Sequence, residues 1–139
     1  MNLRDKVKKE GGVFNLYNGD YTWTTPEGLT SHIVLTPRVG VANVNMGMGV
    51  HKPGQGMAPH VHPLSEEILI IYRGKGEVYL KDKWIPVEAG DIVYAPAGVY
   101  HGTRNPATNT EDFETIGCGA PPQLDLYQRA GYDPLADDK

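Results

Sequence analysis

Short apolar segments separated by glycine and proline run through most of the chain. Between residues 42 and 50, apolar positions alternate with asparagine and glycine, the apolar ones being Ala42, Val44, Met46, Met48 and Val50. A period of two is typical of a strand with one apolar face. Further strands are predicted for residues 58–62, 67–73, 77–80, 84–87, 92–95, 99–103 and 113–118. Because no helical pattern separates them, they indicate an all-β barrel or sandwich.

Helical patterns are confined to the two ends of the sequence. Residues 1–10 predict a short amphipathic helix that ends at Gly11-Gly12, and residues 123–130 predict a second, ended by Gly131. The 139 residues fit one compact domain, with its strand-rich core at 41–118. We therefore expect a single all-β domain, 1–139, with short terminal helices.

Composition narrows the possible partners and the compartment. The net charge is −4, and the one basic cluster, Lys6, Lys8 and Lys9, is bracketed by acids, so we expect no nucleic-acid surface. A single cysteine, Cys118, excludes an intramolecular disulfide and fits a reducing compartment. No apolar run has membrane-spanning length, and the first ten residues lack the apolar core of a signal peptide. These features predict a cytoplasmic protein without membrane contact.

The histidines are the candidate chemical groups. His60 and His62 stand two residues apart, on one face of a strand, Glu66 and Glu67 follow a short turn later, and His101 begins a later predicted strand. Three imidazoles and a carboxylate suit iron, manganese, zinc or nickel, with copper less favoured, far better than calcium or magnesium. A six-coordinate ion would keep two positions for substrate, water or dioxygen, which is typical of a catalytic site.

The spacing around these residues resembles the two motifs of the cupin superfamily. Gly54, His60, His62, Glu67 and Gly74 match the first motif, and the second motif is matched by Gly90, Pro96, Gly98, His101 and Asn105. The resemblance implies a double-stranded β-helix, or jelly-roll barrel, with one divalent metal held by His60, His62, Glu67 and His101. The distance to Gly74 selects Glu67 rather than Glu66. By analogy with small single-domain cupins, the chain is expected to form a homodimer.

The resemblance implies several reactions without choosing among them. Dioxygenase, lyase, decarboxylase and isomerase chemistry on a small anionic or oxygenated metabolite all remain open, and the alternative is a non-catalytic barrel that senses or binds a small molecule. Three neutral imidazoles and one carboxylate leave a single positive charge on a divalent ion, which favours an anionic chelating substrate.

Few residues suggest the wall of a substrate pocket. Leu69 and Ile71 share a strand face with Glu67 and are its candidate lining. Tyr94 is a candidate catalytic residue whose hydroxyl could donate to an oxyanion, although an aromatic ring packed between sheets is the favoured alternative. His51, just before the Pro53-Gly54 turn, is expected to be exposed.

Overall fold

The structure, a computed structural model, describes residues 2–132. Its elements are α1 (Leu3–Glu10), β1 (Tyr21–Thr24), β2 (Thr30–Leu35), β3 (Asn45–His51), β4 (Gly56–His60), β5 (Glu66–Arg73), β6 (Lys75–Leu80), β7 (Lys83–Glu88), β8 (Ile92–Ala95), β9 (His101–Arg104), β10 (Phe113–Ala120) and α2 (Leu124–Ala130). The prediction of an all-β fold with short terminal helices is confirmed. Neither helix in the described part of the chain has the length and hydropathy to cross a membrane.

The strands form two antiparallel sheets that face each other as a jelly-roll barrel. The larger sheet has the order β1-β2-β3-β10-β5-β8, and the smaller one has the order β4-β9-β6-β7. Chain neighbours such as β4 and β5 lie in different sheets, so the connections cross repeatedly from one sheet to the other. This crossing brings residues that are distant in sequence to one interior.

A compact apolar cluster joins the two sheets. Leu69 and Ile71 of β5 and Phe113 of β10 pack with Val78 of β6 from the smaller sheet. The alternation predicted for β5 is present, because Leu69 and Ile71 are buried whereas Ile68 and Tyr72 on the opposite face are about half exposed. At roughly 1.5–3 kcal/mol for each buried large apolar side chain, this cluster is a main source of barrel stability.

Helix α2 packs against the larger sheet through a second apolar cluster. Tyr127 and Ala130 of the helix, with Tyr132 just beyond it, contact Ile33 of β2. The helix ends at Gly131, whose left-handed conformation (φ 74°) is one that glycine adopts without a Cβ penalty. This contact places the polar residues at the start of α2 beside the barrel interior.

Candidate metal centre

Three histidine rings meet where the two sheets approach each other. His60 is the last residue of β4 and pairs across the smaller sheet with His101, the first residue of β9. His62 follows two residues after β4 has ended. The ring centroids are 4.6 Å apart for His60 and His101, 4.9 Å for His60 and His62, and 5.0 Å for His62 and His101.

The three histidines present ligand atoms to one small volume. One nitrogen of each ring lies within 4.8 Å of the corresponding nitrogens of the other two. His62 and His101 are buried, and His60 is half-buried. Such convergence of imidazoles is unfavourable without a cation, since their lone pairs face one another in a medium of low polarity.

Hydrogen bonds at the far nitrogen of each ring orient all three imidazoles. His60 Nδ1 donates to the Ala58 carbonyl at 2.7 Å, and His101 Nδ1 donates to the Val99 carbonyl at 3.0 Å. His62 Nδ1 donates to Asp125 Oδ2 at 2.9 Å. Because carbonyl and carboxylate oxygens only accept, the proton of each neutral ring stays on Nδ1 and Nε2 keeps its lone pair.

Glu67 joins the histidines from the opposite sheet. Its Oε2 lies 2.9 Å from His101 Nε2, and its Oε1 accepts a hydrogen bond of 2.9 Å from Gln123 Nε2. Burial opposes ionisation of Glu67, but its contact with His101 and the Gln123 hydrogen bond outweigh it and hold the pKa of this carboxyl below the usual value. Glu67 is therefore an anion at neutral pH. Its neighbour Glu66 is exposed and accepts a hydrogen bond from Tyr94.

The donor set fits a divalent transition metal. His62 Nε2 is fully buried and has no hydrogen-bond partner among residues 2–132, which is the state expected of a ligand nitrogen. At His101, a lone pair faces a carboxylate oxygen, an arrangement that requires a shared proton or a metal ion. Burial lowers the pKa of His60 to about 4, so this imidazole is neutral and able to coordinate at physiological pH.

A cavity of about 80 Å³ opens directly beside these groups. His60, Glu67 and His101 line it, together with apolar side chains and several glycines, including Leu29, Leu69, Gly49, Gly102 and Gly117. A Cβ on Gly117 would lie 3.5 Å from Glu67 Oε1, so the missing side chain leaves space next to the carboxylate. The volume accommodates only a few non-hydrogen atoms. A ligand must therefore be small, or only one end of a larger ligand occupies the cavity.

The structure changes the expected pocket wall at two positions. Leu69 and Ile71 both belong to the apolar cluster between the sheets, but only Leu69 also lines the cavity. Tyr94 neither lines the cavity nor packs between the sheets. Its partner in the pairing of β8 with β5 is Ile68, on the outer face, where Tyr94 is 52% exposed and donates to Glu66 Oε1 at 3.0 Å.

The expectation of an exposed His51 is wrong. The side chain is 0% exposed, its Nδ1 donates to the Phe113 carbonyl at 2.9 Å, and its Nε2 accepts the hydroxyl proton of Thr103 at 2.7 Å. Thr103 lines the cavity, so His51 supports the wall from behind. Burial lowers the pKa of His51 to about 4 and keeps it neutral.

Helix α2 and the residue before it supply candidate site residues that the sequence did not reveal. Gln123, just before the helix, contacts Glu67; Asp125 contacts His62; and Tyr127 lines the cavity. These three residues occupy alternate positions in the sequence. Their spacing alone does not indicate that the helix packs against the candidate metal centre.

Comparison with known proteins identifies the family. A family model described as "Cupin domain" matches residues 48–111, which include all four candidate ligands. The barrel is a cupin domain. The polyketide synthase CurC of Streptomyces cyaneus is 34% identical over 73 residues, which are 52% of this chain and 47% of CurC. This cupin spans about half the length of the curated relatives it matches.

Solved structures show the same fold at low sequence identity. KdgF from a Halomonas species aligns with a TM-score of 0.67 at 22% identity, over 84% of this cupin and 98% of that chain. A protein from Thermotoga maritima described as a predicted oxalate decarboxylase aligns with a TM-score of 0.66 at 19% identity, over 79% of this cupin and 99% of that chain. At these identities the likeness concerns the barrel and leaves the reaction open.

Proposed function

We propose that this cupin is an enzyme that holds one divalent transition metal on His60, His62, Glu67 and His101 and acts on a small anionic, oxygen-containing metabolite. The observation that carries the proposal is the convergence of three buried or half-buried imidazoles, each of which donates its Nδ1 proton to an acceptor, beside a carboxylate whose Oε2 lies 2.9 Å from His101 Nε2. Iron, manganese, zinc and nickel suit this donor set, and copper is less favoured.

The chemistry of the pocket supports a chelating anion as the substrate. A divalent metal bound here would polarise a coordinated carbonyl or carboxylate oxygen as a Lewis acid. The four protein ligands neutralise one of its two charges, so an anion is attracted to the centre. The small volume beside Glu67 and His101 favours binding through a compact group such as a 2-oxo acid, a hydroxy acid, an enol or a catechol.

The relatives widen the set of compounds to test. One is described as a polyketide synthase and another as a predicted oxalate decarboxylase. We therefore add β-dicarbonyl compounds, which chelate through two oxygens, and oxalate to the panel. Dioxygenase, lyase, decarboxylase and isomerase reactions are all compatible with this group of substrates.

The deciding experiment measures metal and turnover together. Protein purified without a metal-binding tag is analysed for bound elements, and oxygen uptake and product formation are followed across the panel, in air and under nitrogen. We expect near-stoichiometric metal in the wild type and loss of metal and activity in His60→Ala and His101→Ala. His32→Ala is the matched control, since His32 lies outside the metal centre, and should keep both.

Two results would contradict the proposal in different ways. Activity retained in a metal-free His60→Ala/His101→Ala double variant would show that the reaction does not use this centre. Tight binding of a panel compound without turnover, in air and under nitrogen, would instead identify a sensor or binding protein. Oxygen uptake with iron would indicate a dioxygenase, and its absence with manganese, nickel or zinc would indicate the other reaction classes.

A further inference from the structure

The phenol of Tyr127 is an unpaired polar group inside the barrel. The residue is 1% exposed, and its Oη is buried without a hydrogen-bond partner among residues 2–132. Leaving a buried hydroxyl unsatisfied destabilises a protein by about 1–3 kcal/mol. Nearby tyrosines do not share this state, because Tyr21 donates to the Ala130 carbonyl and Tyr132 donates to Asp20.

The polar side chains around Tyr127 are already occupied. Asn45 donates through Nδ2 to Gln123 Oε1 at 3.3 Å and accepts the Gln123 backbone N–H at 2.9 Å through Oδ1. The amide of Gln123 in turn donates to Glu67. This chain of hydrogen bonds runs from the wall to the candidate ligand. The Asn45 amide also acts on the Tyr127 oxygen as a donor, which opposes the rise in the pKa of the phenol, so the phenol proton is the group that lacks an acceptor.

Tyr127 lines the same cavity as His60, Glu67 and His101. The residue is therefore part of the wall around whatever the metal centre binds, and an unpaired donor in an otherwise paired interior is a common mark of a ligand contact. Burial raises the pKa of the phenol, and the charge of Glu67 raises it further, so the group stays protonated at neutral pH.

We propose that Tyr127 Oη–H donates a hydrogen bond to an oxygen of the substrate bound at the metal centre, which makes Tyr127 a substrate-binding residue. This inference rests on the proposed function and adds to it a requirement on the substrate. Besides the oxygen atoms that chelate the metal, the substrate presents a further acceptor oxygen toward α2, as oxalate does through the two oxygens that a bidentate metal contact leaves free. Neutral or nitrogen-donor ligands gain nothing from the contact.

The competing interpretation is that Tyr127 is only a packing residue. Its ring contacts Ile33, Ala130 and Tyr132, and a phenylalanine would fill that space equally well. Removal of the hydroxyl would then leave ligand binding unchanged and would stabilise the fold slightly, because an unsatisfied donor disappears. The two interpretations therefore differ in ligand affinity.

Tyr127→Phe tests the proposal, with Tyr132→Phe as the matched control in the same apolar cluster but outside the cavity. Both variants and the wild type are loaded with the metal found in the native protein and titrated calorimetrically with oxalate and, separately, with imidazole. We expect equal metal loading and a loss of about 10- to 100-fold in oxalate affinity in Tyr127→Phe alone, the usual effect of a hydrogen bond to a charged group. Imidazole affinity should not change.

A second measurement uses the wild type alone and does not depend on the folding of a variant. Oxalate binding should perturb the ultraviolet spectrum of a tyrosine, and imidazole binding should not. The role of Tyr127 would be refuted by equal oxalate affinity in Tyr127→Phe and the wild type, or by an unchanged tyrosine spectrum when the wild type binds oxalate. Neither result would contradict the proposed metal centre. A wild type that takes up no metal would instead refute the proposed function, and this inference with it.

Discussion

His51 shows how one buried side chain links stability to pH. Its pKa is about 4 in the folded protein, against about 6.5 for a free histidine, because burial penalises the charged ring. As pH falls below 6.5, the unfolded chain binds this proton first. The stability that His51 contributes is therefore complete above pH 6.5 and is lost progressively between pH 6.5 and 4, by about 3 kcal/mol in total.

We predict that His51→Gln reduces the acid sensitivity of the fold. Urea unfolding at pH 7 and pH 5 should show a smaller loss of unfolding free energy on acidification in the variant than in the wild type. Its stability at pH 7 should be lower by about 1–3 kcal/mol, because the paired contacts to Phe113 and Thr103 are disturbed. His32→Gln, whose contact with Thr22 is at the surface, should keep the wild-type pH dependence.

Gly117 controls the space next to the ligand carboxylate. An added Cβ would meet Glu67 Oε1 at 3.5 Å, an ordinary contact, so Gly117→Ala should fold and retain metal. The methyl group narrows a cavity of only about 80 Å³, and close-packed interiors do not readily yield to such a change. We expect about a tenfold loss of oxalate affinity or more, measured by calorimetry on the metal-loaded protein.

The neighbouring outward position on β10 provides the control for Gly117. Cys118→Ala changes the opposite face of the same strand and should leave metal content and oxalate affinity at wild-type values. A Gly117→Ala protein that binds oxalate as the wild type does would show that the ligand does not occupy the space beside Glu67.

At the scale of elements, α2 adds contacts to a candidate metal centre whose four candidate ligands all come from the barrel strands and loops. Asp125 accepts the Nδ1 proton of His62, and such a carboxylate fixes the orientation and raises the basicity of a ligand histidine. We predict that Asp125→Ala weakens metal binding about 10- to 100-fold without unfolding the barrel. Competition with a chromophoric chelator measures the affinity.

Two further variants separate orientation from charge at Asp125. Asp125→Asn retains an acceptor oxygen but not the negative charge, and its metal affinity should lie between those of wild type and Asp125→Ala. Asp5→Ala, on α1, removes an acidic residue from an element that contributes nothing to the candidate site and should have no effect. Unchanged affinity in Asp125→Ala would mean that His62 is oriented by packing alone.

The strands from β3 to β10 were predictable because each carries a local signal, such as the alternation of exposed Ile68 and buried Leu69 in β5. The four candidate ligands could be named for a related reason, since each of the two motifs is local in sequence, and the structure brings their side chains together. The faces of β8 were not predictable. The outward position of Tyr94 depends on its pairing with Ile68, and no pattern within four residues specifies that pairing.

The burial of His51 and the packing of α2 on the barrel could not be predicted from the sequence either, and the reason is physical. The partners of His51 come from β9 and β10, more than fifty residues away along the chain. Tyr127 reaches the cavity only because α2 packs on β2. Contacts of this kind are decided by tertiary packing, which overrides what a neighbourhood in sequence can indicate.

At the scale of the whole molecule, one outer face of the larger sheet is unusually apolar. Ile68, Tyr72, Ile92 and Tyr94 are each 44–68% exposed on β5 and the edge strand β8. An apolar face beside a free strand edge promotes association, and homo-oligomers with twofold symmetry are the commonest outcome. We propose that the chain forms a homodimer through this face.

The test is the mass in solution. Sedimentation velocity at micromolar concentration should give twice the chain mass for the wild type and the chain mass for Ile92→Lys, since a buried unpaired lysine opposes association. Leu64→Lys alters an apolar residue elsewhere that is even more exposed than Ile92, and this variant should remain dimeric. A monomeric wild type would refute the proposal.

The contacts of α2 with the candidate ligands also bear on when the site is completed during translation. The ligands lie between residues 60 and 101, whereas Gln123 and Asp125, which hold Glu67 and His62, are translated after all of them. At cellular elongation rates this interval is on the order of seconds. Under the proposed function, a nascent chain would first present the four candidate ligands without these supporting contacts, and tight retention of a metal would begin only once α2 has been synthesised and has packed on the barrel.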